Sequence, residues 1–150
     1  MIIVDSREKP KATRHILKHF DDNNIEYDIS KLYVGDYQRY DQPHIIIDRK
    51  QNLNEVAVNC GKDHDRFKRE LERLDAIKAK MYLLICQEKI DGNPIESIED
   101  IILWRNYYGE LQGERIYRIL NSWLNKHDIE YVFCKPSDAG AEIVRLLNAG

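Results

Sequence analysis

The chain has 150 residues, 43% hydrophobic and 33% charged, with 7 Gly and 4 Pro, a composition that excludes disordered and fibrous proteins and suits a single domain with its own core. Lys and Arg number 23 against 26 Asp and Glu, a net charge of -3, so a polyanion would have to be met by a local basic patch and not by the field of the whole protein. The apolar N-terminus reaches a charge at Asp5, too soon for a signal peptide, no run is long enough to span a bilayer, and Cys60, Cys86 and Cys134 lack CxxC spacing, which together predict free thiols in a cytoplasmic protein.

Ile2 to Val4 reads as a short buried strand, and Lys11 to Asp22, with Ile16, Leu17 and Phe20 at helical spacing, as the helix that follows it. Tyr27 and Ile29 alternate with polar residues. Leu32-Tyr33-Val34 then leads into Gly35-Asp36, and a polar turn around Asp41-Gln42-Pro43 precedes Ile45-Ile46-Ile47, the pattern of a hairpin. Leu53, Val56, Ala57 and Cys60 predict one helix, and Phe67, Leu71 and Leu74 a longer one. The unbroken run Met81 to Cys86 suits a central strand covered on both faces. Ile116, Ile119, Leu120, Trp123 and Leu124 mark an amphipathic helix, Ile129 to Cys134 a strand, and Glu142 to Leu147 a closing helix begun near Ser137 or Asp138. Strands alternate with helices, which predicts an α/β fold of three layers.

Three polar clusters fall at the ends of predicted strands: Asp5-Ser6-Arg7-Glu8, Gly35-Asp36-Tyr37 and Asp48-Arg49-Lys50. Side chains at the strand ends of an α/β sheet converge on one crevice. Asp48 and Lys50, two apart on an extended segment, project from one face while Arg49 points away, and Asp36 lies on the partner strand of the hairpin. Two carboxylates beside a lysine suit metal-assisted hydrolysis, since Mg²⁺ takes oxygen ligands and is usually held by one or two carboxylates. Lys50 would orient the attacking water or neutralise charge on phosphate, and would serve as a base only if burial lowered its pKa. An Asp-x-Lys tripeptide also arises as an ordinary solvated strand end.

Taken in order, these motifs resemble the nuclease domain of the XPF-type structure-specific endonucleases, which carry Val-Asp-x-Arg-Glu, then Gly-Asp-Tyr, then a hydrophobic strand ending in Glu-Arg-Lys with an Asp four residues beyond the Lys. Arg66-Phe67-Lys68-Arg69-Glu70 falls where the family has an Arg-Leu-x-x-Gln helix, and Leu83-Leu84-Ile85 where it has its next buried strand. The resemblance implies a restriction-endonuclease-like core with a mixed central sheet, and metal-dependent cleavage of DNA at flaps, forks or junctions in repair or recombination. It makes Asp36 and Asp48 ligands of Mg²⁺, for which Mn²⁺ could substitute, and Lys50 the catalytic lysine, with Asp5, Arg7 and Glu8 lining the same pocket. It also implies a homodimer or heterodimer formed through this domain. Relatives append helix-hairpin-helix or helicase modules that nothing in residues 1–150 resembles, so a single nuclease domain is expected, in a prokaryotic or phage-infected cytoplasm.

Three departures bear on the site. Asp48 stands for the family's Glu, Asn54 for its Asp, and Glu70 for its Gln, making Asn54 and Glu70 candidates for the surrounding shell. A catalytically silent DNA-binding or scaffold subunit is therefore the alternative, and an unrelated binder of a phosphorylated ligand a more distant one, since no Gly-rich phosphate loop is present. Lys9, Lys11, Arg14 and Arg66 are the candidate phosphate contacts. The remaining tempting features have blander readings: His15 and His19 as surface residues, Trp104, Tyr107 and Tyr108 as packing in the core or at a dimer interface in preference to base-stacking platforms, and the mixed charges of Lys62 to Arg73 as salt-bridged helix surface.

Overall fold

In the computed structural model, which describes residues 1–149, strand β1 (Ile2–Asp5) passes into helix α1 (Pro10–Asp22) and returns as β2 (Tyr27–Ser30), parallel to β1. Pro10 opens α1 where its missing N–H costs nothing, and Ile16 and Phe20 form its buried stripe. Strands β3 (Tyr37–Arg39) and β4 (Gln42–Lys50) form the hairpin, with β3 antiparallel to both β1 and β4. Its turn is Tyr40-Asp41, one step earlier than the sequence suggests, because Gln42 and Pro43 already belong to β4. Leu32 and Val34 are buried in a bent segment outside any strand.

Helices α2 (Leu53–Cys60) and α3 (His64–Ala76) lead to β5 (Lys80–Ile85), parallel to β4. A two-strand ribbon, β6 (Lys89–Ile90) and β7 (Asn93–Pro94), and a 3-10 turn at Ile98–Leu103 carry too few residues for a periodic signal and are visible only in the structure. Helix α4 (Gly113–Lys126), strand β8 (Ile129–Phe133), a 3-10 turn at Pro136–Asp138 and helix α5 (Ala139–Asn148) complete the chain.

The main sheet has the order β2-β1-β3-β4-β5-β8 and is mixed, with only β3 running against its neighbours. Helices cover both faces, giving the three-layer α/β arrangement. Ile46, Met81, Leu83 and Ile85 pack against α2, α3 and α4 through Leu53, Phe67, Leu71 and Leu120. The alternate residues Ile47 and Leu84, with Val4 and Tyr37, pack against α1 and α5. This two-fold alternation assigns opposite faces to neighbouring residues and so decides which polar side chains at the strand ends meet. No helix among the described residues is long and apolar enough to cross a membrane. All three cysteines are free and buried.

Candidate active site

Tyr37 sits between Val4 of β1 and Ile47 of β4 in the sheet register. One step further along the same edge, the Asp5 N–H donates to the Asp36 carbonyl at 2.8 Å and the Asp36 N–H to the Ile47 carbonyl at 2.8 Å. Asp5, Asp36 and Asp48 are thereby carried abreast on neighbouring segments, although they lie 43 positions apart in the chain from first to last.

Gly35 makes this row possible. Its φ of +76° is a left-handed conformation that suits glycine, and a Cβ would run into the Ile46 side chain and lie 3.1 Å from the Ile47 carbonyl oxygen. The Gly35 N–H donates to Glu70 Oε1 at 3.0 Å, which ties α3 to the site.

The three aspartates do different work. Both Asp5 oxygens are occupied: Oδ1 accepts the Leu32 N–H at 2.9 Å and Oδ2 accepts Arg7 Nε at 2.9 Å, while Arg7 also donates to the Leu32 carbonyl at 2.9 Å. Asp5 and Arg7 thus hold the segment that delivers Gly35-Asp36. Asp36 Oδ2 accepts the Arg49 N–H at 2.7 Å. Asp48, only 3% exposed, has Lys50 Nζ 2.9 Å from Oδ1, yet that oxygen makes no well-directed hydrogen bond, and Glu8 Oε1 is also buried without a partner. Arg49 points to the opposite face, as the alternation requires, and donates to the Ala12 carbonyl at 2.8 Å.

Negative charge is in excess here. Burial pushes the Asp36 carboxyl well above its ordinary range, with Asp48 and Glu8 adding to it. Glu70 is raised to about 7, first by burial and then by the charge of Asp48. Burial likewise raises Glu8, opposed by Arg49 and reinforced by Asp48 and Glu55. Asp36, Glu8 and Glu70 are thus all raised by burial, and Asp48 adds to each of them. Lys50 is 9% exposed, with its ammonium 5.0 Å from the centre of the Phe67 ring. Burial pulls its pKa down, but Asp48, Asp36 and Glu70 outweigh that and raise it, so Lys50 stands as a cation and not as a base.

These groups line a cleft of about 460 Å³. No closed set of three His, Cys, Asp or Glu ligands occurs among the described residues. Partner-poor oxygens on Asp48 and Glu8, beside the carboxyls of Asp36 and Glu70, fit the open oxygen shell in which Mg²⁺ retains several waters.

Of the basic candidates, Lys9 and Arg66 reach the cleft together with Arg7. Lys11 lies exposed on α1, and Arg14 lines a separate groove on that helix. Glu70 is in the cleft, while Asn54 lines a neighbouring cavity beyond α2. Glu55 and Asn59 also line the cleft and are not singled out by the sequence, and Arg73, read there as salt-bridged helix surface, lines it as well. The signal for the first two was the position of α2, which begins three residues after Lys50, so that Glu55 and Asn59 at helical spacing overhang the end of β4. His15 and His19 pack toward the chain's end: His15 Nε2 lies 3.2 Å from the Pro136 carbonyl, and a Cβ on Gly140 would touch the His19 ring.

The family model for the ERCC4 domain matches residues 4–147. Among solved structures, XPF from Aeropyrum pernix, in complex with DNA, is similar with a TM-score of 0.69 at 14% identity; the likeness covers 99% of this chain and 63% of that one. No curated protein matches.

Proposed function

We propose that this chain, which belongs to the ERCC4 domain family, is a divalent-metal-dependent endonuclease that hydrolyses DNA phosphodiester bonds at flaps, forks or junctions in repair or recombination. The observation that carries this reading is the cluster of Asp36, Asp48, Glu8 and Glu70 around the single ammonium of Lys50, at the floor of a cleft edged by Arg7, Lys9 and Arg66. Asp36 and Asp48 would hold Mg²⁺ or Mn²⁺, with Glu8 and Glu70 close enough to adjust the local charge. Held by these carboxylates, such an ion would supply Lewis-acid chemistry at the scissile phosphate and at an attacking water.

The chain's own residues supply the rest. Lys50, kept protonated by its carboxylate neighbours, neutralises charge that builds on the phosphate oxygens. Arg7, Lys9 and Arg66 grip the flanking phosphates, which sets the strand's register without reading its sequence. The shorter Asp48, in place of a glutamate, is compensated by Glu70 approaching it from α3. The enzyme works as a homodimer or heterodimer formed through this domain.

The test is cleavage of end-labelled flap, fork, four-way-junction, single-stranded and blunt duplex DNA in Mg²⁺, Mn²⁺ or EDTA, beside Asp36→Ala and Asp48→Ala. Cutting of branched DNA that needs metal and disappears in both variants is expected. Binding of branched DNA with no cutting in either metal would reject the active enzyme in favour of a silent scaffold.

A further inference from the structure

Residues 104–112 connect the Ile98–Leu103 turn to α4 and adopt a tightly fixed loop. Asn106 is buried: its Nδ2 donates to the Leu111 carbonyl at 3.0 Å and its Oδ1 accepts the Tyr108 N–H at 3.0 Å. The Asn106 N–H donates to Gln112 Oε1 at 2.9 Å, and Gln112 Nε2 donates to the carbonyls of Asn106 at 3.0 Å and Gly109 at 3.2 Å. Two amide side chains thus close the loop on itself, and the entropy of ordering it is already spent.

The rings this loop presents are not used by the fold. Trp104 packs against the core, but Tyr107 and Tyr108 are 78% and 86% exposed. The Arg105 guanidinium lies 5.2 Å from the Tyr107 ring centre. Of the packing in the core or at a dimer interface that the sequence favours for this cluster, the core half therefore holds only for Trp104. Two large rings held in water by a rigid loop are uncommon unless something stacks on them.

Between this loop and α2 lies a cavity of about 490 Å³, of the size that accepts a small planar group. Ala57, Val58 and Gly61 form one wall, Tyr108 and Leu111 the other, with Lys62 and Glu110 also lining it. Val58 lines both this cavity and the catalytic cleft, so the ridge between the two is the part of α2 that carries Val58. A strand whose phosphate lies over Asp48 can cross that ridge and lay a neighbouring base between helix and loop.

We infer that the cavity between α2 and the 104–112 loop holds an unpaired DNA base stacked on Tyr108, with Lys62 placed for the adjoining phosphate. This rests on the nuclease reading and deepens it: the preferred substrates have unpaired nucleotides next to the cleavage point. Continuity with the cleft, the exposed rings and the nearby cations favour a base over a peptide or a second copy of this chain.

The test is fluorescence anisotropy in EDTA with oligothymidylate, a duplex carrying a single-stranded arm, and a blunt duplex. Tyr108→Ala is expected to weaken the first two by about 5- to 100-fold and the blunt duplex by less than about twofold, with Tyr108→Phe close to wild type. Equal effects on all three DNAs, no effect on any, or a change in sedimentation showing that Tyr108 holds two copies together would overturn the inference. Wild-type protein that cuts duplex DNA but shows no Tyr108 dependence rejects the base site alone; wild-type protein that binds no DNA rejects the nuclease reading as well. Should Tyr108→Ala fail to fold, photo-crosslinking of 5-iodouracil in the arm of the wild-type complex decides, with attachment at Tyr108 supporting the site and attachment only elsewhere rejecting it.

Discussion

Replacing Glu70 by Gln tests the charge excess directly. Glu70 is held at about 7 against an ordinary 4.5, so the folded protein binds its proton more tightly than the unfolded chain. A group raised in this way stabilises the fold fully below that ordinary value of 4.5, and the contribution is lost as pH rises through 7. The difference is worth about 3 kcal/mol at pH 8 in metal-free protein, at 1.36 kcal/mol per pH unit. Glutamine keeps an oxygen for the Gly35 N–H and offers an N–H to Asp48, but carries no charge to bury. In urea titrations with EDTA, Glu70→Gln should therefore unfold about 1–2 M later than wild type at pH 8 and nearly together with it at pH 5. Some pH dependence remains in the variant, since Asp36 and Glu8 are raised as well. Added Mg²⁺ should stabilise wild type more at pH 8 than at pH 5, where protons occupy the same carboxylates. A variant no more stable than wild type at pH 8, or one whose advantage is the same at both pH values, refutes the account of a crowded carboxylate site.

Gly35→Ala forces a side chain into a left-handed conformation and against Ile46; a loss of about 3 kcal/mol is expected by urea unfolding, and full stability would show the turn to be adaptable. Lys50→Ala should lower single-turnover cleavage by about 100-fold or more while DNA affinity stays within about threefold, a split that a merely structural lysine would not give. Arg66→Ala should weaken all DNAs alike and reduce the slope of log K against log salt by about one, measured between low and physiological salt. Phe67→Ala removes the ring that stacks against Trp123 and lies beneath Lys50, and should cost about 3–5 kcal/mol of stability by the same urea assay.

Periodicity placed every large element because each buries one stripe or one face. The runs at Ile45 to Ile47 and Met81 to Ile85 could only be strands covered on both sides, and they occupy neighbouring central positions in the sheet. The same alternation, legible in the sequence, separates Asp48 and Lys50 from Arg49. The hairpin turn was misplaced by a residue because Pro43 reads as a turn signal, yet β4 accommodates it near its exposed start. The Lys9, Lys11 and Arg14 segment looked like one basic patch, but the helix that begins at Pro10 turns Arg14 away from the cleft that Lys9 enters.

By itself the sequence determined which residue types gather at the strand ends, since a carboxylate at the close of an apolar run is fixed by local order alone. What each of them does depended on contacts between distant segments. Asp5 became an anchor because Leu32 and Arg7 occupy both its oxygens, Glu70 entered the site because Gly35 draws its carboxyl inward, and Asn54 was turned to the far flank of α2 by its position on the helix. Charge was the last thing decided. Lys50 remains protonated and Glu70 is raised to about 7 only because packing brings Asp36, Asp48 and Glu70 within reach of one buried ammonium, and burial belongs to the fold and not to any residue.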